Sequence, residues 1–562
     1  MERHRIRKDA LKVGLLLENM SVPAWAYSMI ERINNSSYAC IELIVLKRIK
    51  KRRDTTLFMN GNCRDIHSGL VRKLLTLVYR AIVDRASPFP DAFEERSVGD
   101  ILCNIPVLEI ETIYKDESDY ISDSDVIKIE SFNIDVFIQV GFRILRGKIL
   151  DSSKYGIWSY HHGDNGVNQG DPPGFWEVME SWPATGSMLQ MLTGDLDKRK
   201  VLYRSYSCTD MLSVKANKNN VYWKSVSFVP RKLEELLRIG RERFLKKVED
   251  ENRHPEFYSR RLFVKRSNSE YGKLILKKIV QKIKNRFIFH FYFDQWFLMW
   301  DLSEDISGSL LRYKKILPPK DRYWADPFIV YRDGKYYLYI EEFLYKTQRG
   351  RIALIVMDEE GNYEAPVVVI ERPYHLSYPF VFQLEGEFYI IPETCENQTI
   401  ELYKCVEFPY KWEFQMNLMK NVTAVDTTLF YSRGKWWLFT NMVENRGASA
   451  WDELFLFYSD RFPSSDWTSH PLNPIISDST RARPAGKLFE RNGRIYRPSQ
   501  NCSVRYGYGL NISEITCLNE YEYSEKIVTS IEPKWARNIL GVHSFNHEKR
   551  LSVIDAQVRR RK

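Results

Sequence analysis

The sequence predicts two folded parts of different class, α/β of the doubly wound type and then an all-β propeller, joined by a helical connector. Three observations lead there. Apolar runs alternate with helical stretches over residues 10–210, charge at helical spacing dominates residues 211–289, and short aromatic strands with a recurring glycine follow from residue 290. A chain of 562 residues also exceeds what one core supports.

In the first part "KVGLLL" (Lys12 to Leu17) reads as a strand buried on both faces. Pro23 opens a helix that stops at the Asn and Ser residues after "MIERI". "IELIVLKR" and "IDVFIQVGF" (Ile134 to Phe142) are further buried strands, and "GLVRKLLTLVYRAIVDR" between them has helical spacing. Such a sheet binds ligands beyond the C-terminal ends of its strands. The first strand is not followed by Gly-x-Gly-x-x-Gly, which argues against a nicotinamide dinucleotide.

The charged helical text from Lys215 to Arg286 reads as a connector docked between domains, with a membrane surface as the alternative for its Ile, Leu and Val residues. The net charge of +10 is spread over a long chain and does not indicate nucleic acid. The basic runs "KRIKKRR", "KLILKKIVQKIKNR" and the terminal "RRRK" read as solvated faces and a basic tail over residues 551–562, with peripheral contact with an anionic membrane surface as the other role. Eight cysteines without a Cys-x-x-Cys pair argue against a zinc knuckle and a disulfide framework. No apolar run reaches membrane-spanning length, and the expected location is cytoplasmic.

The stretch "WSYHHGDNGVNQGDPPGFWE" (residues 158–177) holds two adjacent histidines, two aspartates and a proline-rich turn. Histidines next to each other in a strand point to opposite faces, which disfavours a shared metal. A rigid structural turn and a transferase-like pocket are the remaining readings. Together with the preceding strand and with Thr185-Gly186 and Leu196-Asp197, the stretch resembles the core of folate-dependent formyltransferases, those acting on methionyl-tRNA or amino sugars. The resemblance implies a formyltransferase-like Rossmann-type domain over residues 10–210. It implies that His161 and Asp197 manage the proton lost by an attacking amine, and that Gly170 and Pro173 shape the substrate loop. Ser159 stands where the family carries an Asn that polarises the formyl carbonyl, and Gln169 where it has an Arg. Asp164 is an additional carboxylate. The implied cofactor is formyl-tetrahydrofolate, with no metal. The expectation is that Ser159, His161 and Asp197 converge at the end of the sheet with Asp164 at the pocket mouth.

In the last part, "YRDGKYYLYIEE", "QLEGEFYIIPET", "YSRGKWWLFTN" and "ERNGRIYRPSQ" are alike. Their glycines, Gly334, Gly386, Gly434 and Gly493, are 52, 48 and 59 residues apart. Each unit reads strand, turn, strand, and a repeat near fifty residues predicts propeller blades. With the propeller placed over residues 290–550, strands before Asp326 and around "HSFNHEKRLSVID" would close a fifth blade, residues near Trp296 pairing near Val553. Asp326, Glu393 and Asp426 recur beside the hairpins, and Arg483, Arg497 and Gln500 add polar groups. Together they predict a polyanion- or glycan-binding funnel. Trp324, Tyr378, Trp436 and Tyr506 are available to stack on sugars.

The motifs "RYWADPFIV", "IPET", "AVDTTLF" and "RPSQNCSVRYGYGL" resemble the N-terminal domain of glucosamine inositolphosphorylceramide transferase. The Ala-Asp-Pro at 325–327 is similar to five-bladed arabinanase-type glycosidases. The combined expectation is a glycan-modifying protein that transfers a formyl group to an amino sugar. Its expected partner is a carbohydrate or nucleotide-linked amino sugar bound by the propeller. The alternative is a catalytically decayed scaffold fused to a sugar-binding, glycosyl-transferring or glycoside-hydrolysing propeller.

Overall fold

The structure, a computed structural model, describes residues 10–48, 70–85, 89–115, 118–163, 173–194, 200–253, 267–306 and 308–562. The chain divides into two compact units, the first lying chiefly within Met1–Ser205 and Asp210–Ile279, the second within Val280–Glu444 and Ser449–Lys562.

The first unit is built on a seven-stranded sheet. Its order is Lys200–Cys208, Ala184–Met191, Ile157–His161, Val136–Val140, Leu11–Leu17, Ala39–Lys47 and Val107–Ile110. The strand Leu11–Leu17 runs parallel to both neighbours, and Ile157–His161 runs parallel to Val136–Val140. Ile157–His161 then meets Ala184–Met191 in antiparallel register. Helix α1 (Ala24–Asn34) starts directly after Pro23 and packs Met29, Ile30 and Ile33 on the sheet.

The stretch read as a connector is largely part of this unit. Helices α2 (Val214–Ser225), α3 (Phe228–Ile239) and α4 (Arg241–Glu251) bury Trp223, Phe228, Leu233, Phe244 and Val248 in the core that also contains Leu15 and Trp158. Helix α2 is capped by Ser213, whose hydroxyl accepts from the Ala216 N–H. A long helix, α5 (Asn268–Phe291), leads into the second unit.

The second unit is a five-bladed propeller of antiparallel sheets. Blade 1 consists of Arg322–Arg332, Lys335–Leu344, Arg349–Asp358 and Val367–Ile370, and blade 2 of Ser377–Leu384, Glu387–Thr394, Thr399–Glu407 and Lys411–Lys420. Blade 3 is centred on Ala424–Ser432, Lys435–Met442 and Glu453–Ser459, and blade 4 comprises Phe489–Arg491, Arg494–Asn501, Gly509–Leu518 and Tyr523–Ile531. The repeated hairpins have a common cause. The pairs Asp333-Gly334, Glu385-Gly386, Arg433-Gly434 and Asn492-Gly493 all have positive φ. Two such residues in succession make the turn whose twist matches two antiparallel strands, and glycine takes that backbone without strain.

Blade 5 joins both ends of the unit. Tyr292–Leu302 pairs along its whole length with Leu551–Arg561, so that Trp296 lies opposite Gln557 and Trp300 opposite Val553. Residues 551–561 are therefore a central strand, where the sequence reading placed a basic tail. The arginines of that run have local partners: Arg559 holds Asp294 through two hydrogen bonds, and Arg560 donates to Gln295 Oε1 and the Pro318 carbonyl.

Candidate functional site

The inner hairpins of the propeller place two sets of side chains around its centre. Asp326, Tyr378 and Asp426 each stand eight residues before a turn glycine, at Gly334, Gly386 and Gly434. All three have left-handed backbone, with φ of 50°, 43° and 53°, and each interrupts the register of its strand pair. Such strain in non-glycine residues costs about 1–3 kcal/mol apiece and persists where surrounding structure enforces it. The second set lies on the next strand. Glu341 is opposite Ala325, Glu393 opposite Ser377 and Asn441 opposite Val425. Glu393 therefore corresponds to Glu341, and Tyr378 is the blade 2 counterpart of the two aspartates. The sequence reading had put Glu393 there.

These positions converge. Arg483 binds Asp426 through both oxygens, at 2.6 and 3.1 Å, and lies 3.5 Å from Glu393. Gln500 donates to the same Asp426 carboxylate at 3.0 Å. The Tyr378 N–H donates to Asp326 at 3.3 Å, and its hydroxyl shares a hydrogen bond with Thr428 at 2.9 Å. Tyr323 donates to Glu341 at 3.0 Å. Tyr506 lies under the Arg483 guanidinium, 4.9 Å away, and beside Trp451.

Blade 5 supplies the part the sequence reading missed. Asp555 accepts from the N–H groups of Asp326, His543 and Ser544, at 2.9, 3.1 and 3.0 Å, and its Oδ1 is 2.7 Å from His543 Nδ1. The other ring nitrogen, Nε2, is 3.5 Å from Asp326 Oδ1. The result is an Asp-His-Asp chain leading to Asp326, with the imidazole stacked on Trp296 at 4.0 Å. Asp326, His543 and Asp555 bring an atom each within 4.8 Å of the others, but both ring nitrogens of His543 face carboxylates, which is the arrangement of a proton-sharing chain.

Carboxylates outnumber cations here. Asp326, Glu341, Glu393, Asp426 and Asp555 face Arg483 and His543. Burial pushes Asp326 up to about 7, with Asp426 and Asp555 adding to the rise against the pull of His543. Burial, and then the neighbouring Asp426, push Glu393 well above the usual carboxylate range; burial and Asp326 do the same to Glu341. Burial works against a charged His543, but Asp555 and Asp326 outweigh it and raise the imidazole above its ordinary value. At neutral pH the site therefore offers hydrogen-bond donors and acceptors together, which suits a polyhydroxylated ligand. An acidic excess of this kind does not suit a polyanion.

Four other residues depart from expectation. Arg497 is fully buried within blade 4, where it pairs with Glu525 at 2.7 Å and donates to the Arg481 and Ala482 carbonyls. It is a structural ion pair. Trp324 is buried with its N–H on Glu342, and Trp436 packs with Phe382 and Phe462 beside the hairpin turn, so neither reaches the centre. Tyr378 is buried too, its hydroxyl engaged with Thr428 and Gly486, which leaves Tyr506 as the named aromatic at the site.

In the first unit Ser159 and His161 lie two apart on one strand, opposite Gln190 and Met188 of the next. Alternation puts them on one face and Trp158, Tyr160 and His162 on the other. His162 enters an aromatic box, stacked on Tyr222 at 3.6 Å and edge-on to Trp25 at 5.5 Å. Burial, with His161 and Lys218 adding, pushes its imidazole well below the ordinary value. Pro173 leads into Gly174, whose carbonyl accepts from Asn217 Nδ2 at 3.0 Å; the same amide nitrogen is 3.0 Å from Thr185 Oγ1. One asparagine thus ties the end of the loop to the start of the Thr185-Gly186 hairpin. Asp164, Gly170 and Asp197 lie outside the described residues, and so does the expected convergence of His161 with Asp197.

Residues 317–557 match the family described as glucosamine inositolphosphorylceramide transferase 1, N-terminal. The glucosamine inositolphosphorylceramide transferase 1 of Oryza sativa subsp. japonica is 34% identical over 238 residues, which is 42% of this chain and 31% of that protein. The Arabidopsis thaliana protein of the same name is 33% identical over 204 residues, 36% of this chain and 26% of its own length. The chain thus spans less than a third of these relatives, and the family match lies in the propeller. Among solved structures, the family 117 glycoside hydrolase Zg3597 of Zobellia galactanivorans aligns with 48% of this chain and 90% of its own at 12% identity and a TM-score of 0.32. Glycinamide ribonucleotide transformylase 1 of Symbiobacterium toebii aligns with 42% of this chain and 92% of its own at 10% identity and 0.27. Scores this low fix no correspondence of residues or activity.

Proposed function

We propose that the chain modifies a glycan and that the propeller centre binds an amino sugar. The observation that carries this reading is the convergence of Asp326, Glu341, Glu393 and Asp426 on one another, with the Arg483 guanidinium bound to Asp426 and beside Glu393. Raised carboxyls donate to sugar hydroxyls, the Arg483–Asp426 pair and Gln500 fix orientation, and Tyr506 offers a ring face. An ammonium brought by an unacetylated hexosamine favours the ionised form of these raised carboxyls, so its binding is expected to release protons from the site, in keeping with the glucosamine in the names of the relatives. In a glycosyl transfer, Asp326 at about 7 is matched to move a proton at neutral pH, and the His543–Asp555 pair is placed to tune it.

The test is calorimetric titration of the full chain with glucosamine, N-acetylglucosamine, glucose and their nucleotide-linked forms. The expectation is saturable binding with preference for the free amine. Absence of binding by every sugar overturns the reading.

A second reading concerns the first unit. Ser159 and His161 on one face at the end of a parallel strand, with the loop end anchored by Asn217, support amine formylation from formyl-tetrahydrofolate. His161→Ala is expected to slow that reaction roughly 100-fold or more, the scale of a lost general base. An unchanged rate, or no reaction at all with the unaltered chain, leaves the scaffold alternative.

A further inference from the structure

Helix α5 carries a surface that neither the glycan reading nor the formyl reading uses. Its first half is anchored by one face. Tyr271, Ile275 and Ile279 are buried against Tyr79, Val83, Phe175 and Trp176, and the fully buried Lys278 donates to Ser181 Oγ at 2.7 Å and to the Met211 carbonyl at 2.8 Å. A second face, centred about 120° round the helix from the first, is apolar as well. Leu276, Val280, Ile283, Phe287 and Phe291 are 55%, 54%, 58%, 66% and 44% exposed. Their spacing follows the helical repeat, and at 3.6 residues per turn they fall within about 80° of arc. Phe287 and Phe291 pack ring to ring at 4.9 Å, which extends the stripe to the end of the helix. A stripe of five large exposed apolar side chains is uncommon on a surface that meets only water.

The charges that border the stripe say what covers it. Lys273, Lys277 and Lys284 lie along one flank and Lys282 and Arg286 along the other, all exposed. From Tyr271 to Phe291 the helix contains no Asp or Glu. Long cationic side chains on both borders of an apolar stripe can extend their heads to phosphate level while their stems line the apolar face. Among the described residues no helix is long and apolar enough to cross a membrane. The geometry fits a helix that lies in the interface.

We propose that helix α5 docks this chain on an anionic lipid surface, with Leu276, Val280, Ile283 and Phe287 entering the acyl boundary and the five flanking cations engaging acidic headgroups. The inference stands on the exposed stripe and its charges and is independent of what the propeller binds. Docking would hold the chain beside glycans carried on lipid.

The test is flotation of the full chain with phosphatidylcholine vesicles, with and without about 30 mol% phosphatidylserine. The expected result is binding that requires phosphatidylserine and weakens at least tenfold when salt is raised to about 0.5 M, because the headgroup attraction is screened. Ile283→Glu with Phe287→Glu should reduce partitioning by about tenfold or more. Both positions are exposed, so cooperative thermal unfolding should persist. The triple change Lys273→Gln, Lys277→Gln and Lys284→Gln, which leaves the apolar face intact, should bring binding down toward the level on pure phosphatidylcholine. Failure of the unaltered chain to float with phosphatidylserine overturns the proposal. So does equal flotation of both variants, or self-association of the chain that Phe287→Glu abolishes, since a second copy would then be what covers the stripe.

Discussion

His162 in the α/β unit and His543 in the propeller are both buried and both stacked on an aromatic ring, yet their electrostatics are opposite. His162 has Tyr222, Trp25 and Tyr160 around it and Lys218 nearby, and is held neutral. His543 has Asp555 at 2.7 Å and Asp326 at 3.5 Å, and is held toward the charged form. Burial alone lowers an imidazole's proton affinity; paired carboxylates reverse it. The aromatic box is packing, whereas the carboxylate-bound imidazole is part of a titrating network.

The largest expected effect comes from removing the Arg483 guanidinium from that network. Arg483→Met should leave Asp426 and Glu393 buried without their cation and cost about 3–5 kcal/mol. Urea unfolding followed by hydrogen exchange of propeller peptides measures it. A loss under about 1 kcal/mol would show that the carboxylates are solvated and that the network has been overdrawn.

The second effect is a pH dependence of opposite sign in the two units. Asp326 has a folded value near 7, above its unfolded range, so the folded propeller binds more protons than the unfolded chain. This contribution is fully present below about pH 4 and is lost as pH rises toward about 7. The raised His543 acts in the same direction, losing its contribution as pH rises through its folded value. Asp326→Asn should flatten the propeller's decline and gain roughly 1–4 kcal/mol relative to the unaltered chain at pH 8, since a tenfold change in proton affinity is worth about 1.4 kcal/mol. For His162 the folded value is depressed, so its contribution is present above about pH 6.5 and is lost as pH falls. His162→Phe should make the first unit less sensitive to acid below that point. Parallel pH profiles for the two units would refute the contrast.

A smaller effect is local. Asn217→Ala removes the amide that holds the Gly174 carbonyl and the Asp210 N–H and contacts Thr185, and should cost about 1–3 kcal/mol. Faster exchange in peptides at Gly174 and Thr185, with the propeller unaffected, is the expected signature.

The sequence carried the blades well because each hairpin needs a positive-φ glycine at a fixed place, and four such glycines mark the repeat. Closure was legible for the same reason: an unpaired aromatic strand at each end of the repeat needs a partner. The site was legible only in part. Asp326, Asp426, Arg483 and Gln500 sit near repeat marks, but Glu341, His543 and Asp555 acquire their roles through pairings between distant parts of the chain. Counting eight residues back from each glycine would have placed Tyr378, not Glu393, beside the two aspartates, and the strand pairing would then have pointed to Glu341. Arg497 looked like a site residue because its partner, Glu525, lies two strands away in the same blade. The terminal arginines looked like a tail because Asp294, which pairs with one of them, lies at the other end of the propeller.

The most direct test of the central claim is sugar binding by the variant carrying both Asp326→Asn and Asp426→Asn, measured by calorimetry against the unaltered chain with an amino sugar that the latter binds. The account predicts that affinity falls by about 100-fold or more while propeller unfolding stays cooperative, because two convergent buried carboxyls each lose one acceptor oxygen and their titratable proton. Unchanged affinity in a folded double variant would contradict it and move the binding site away from the propeller centre.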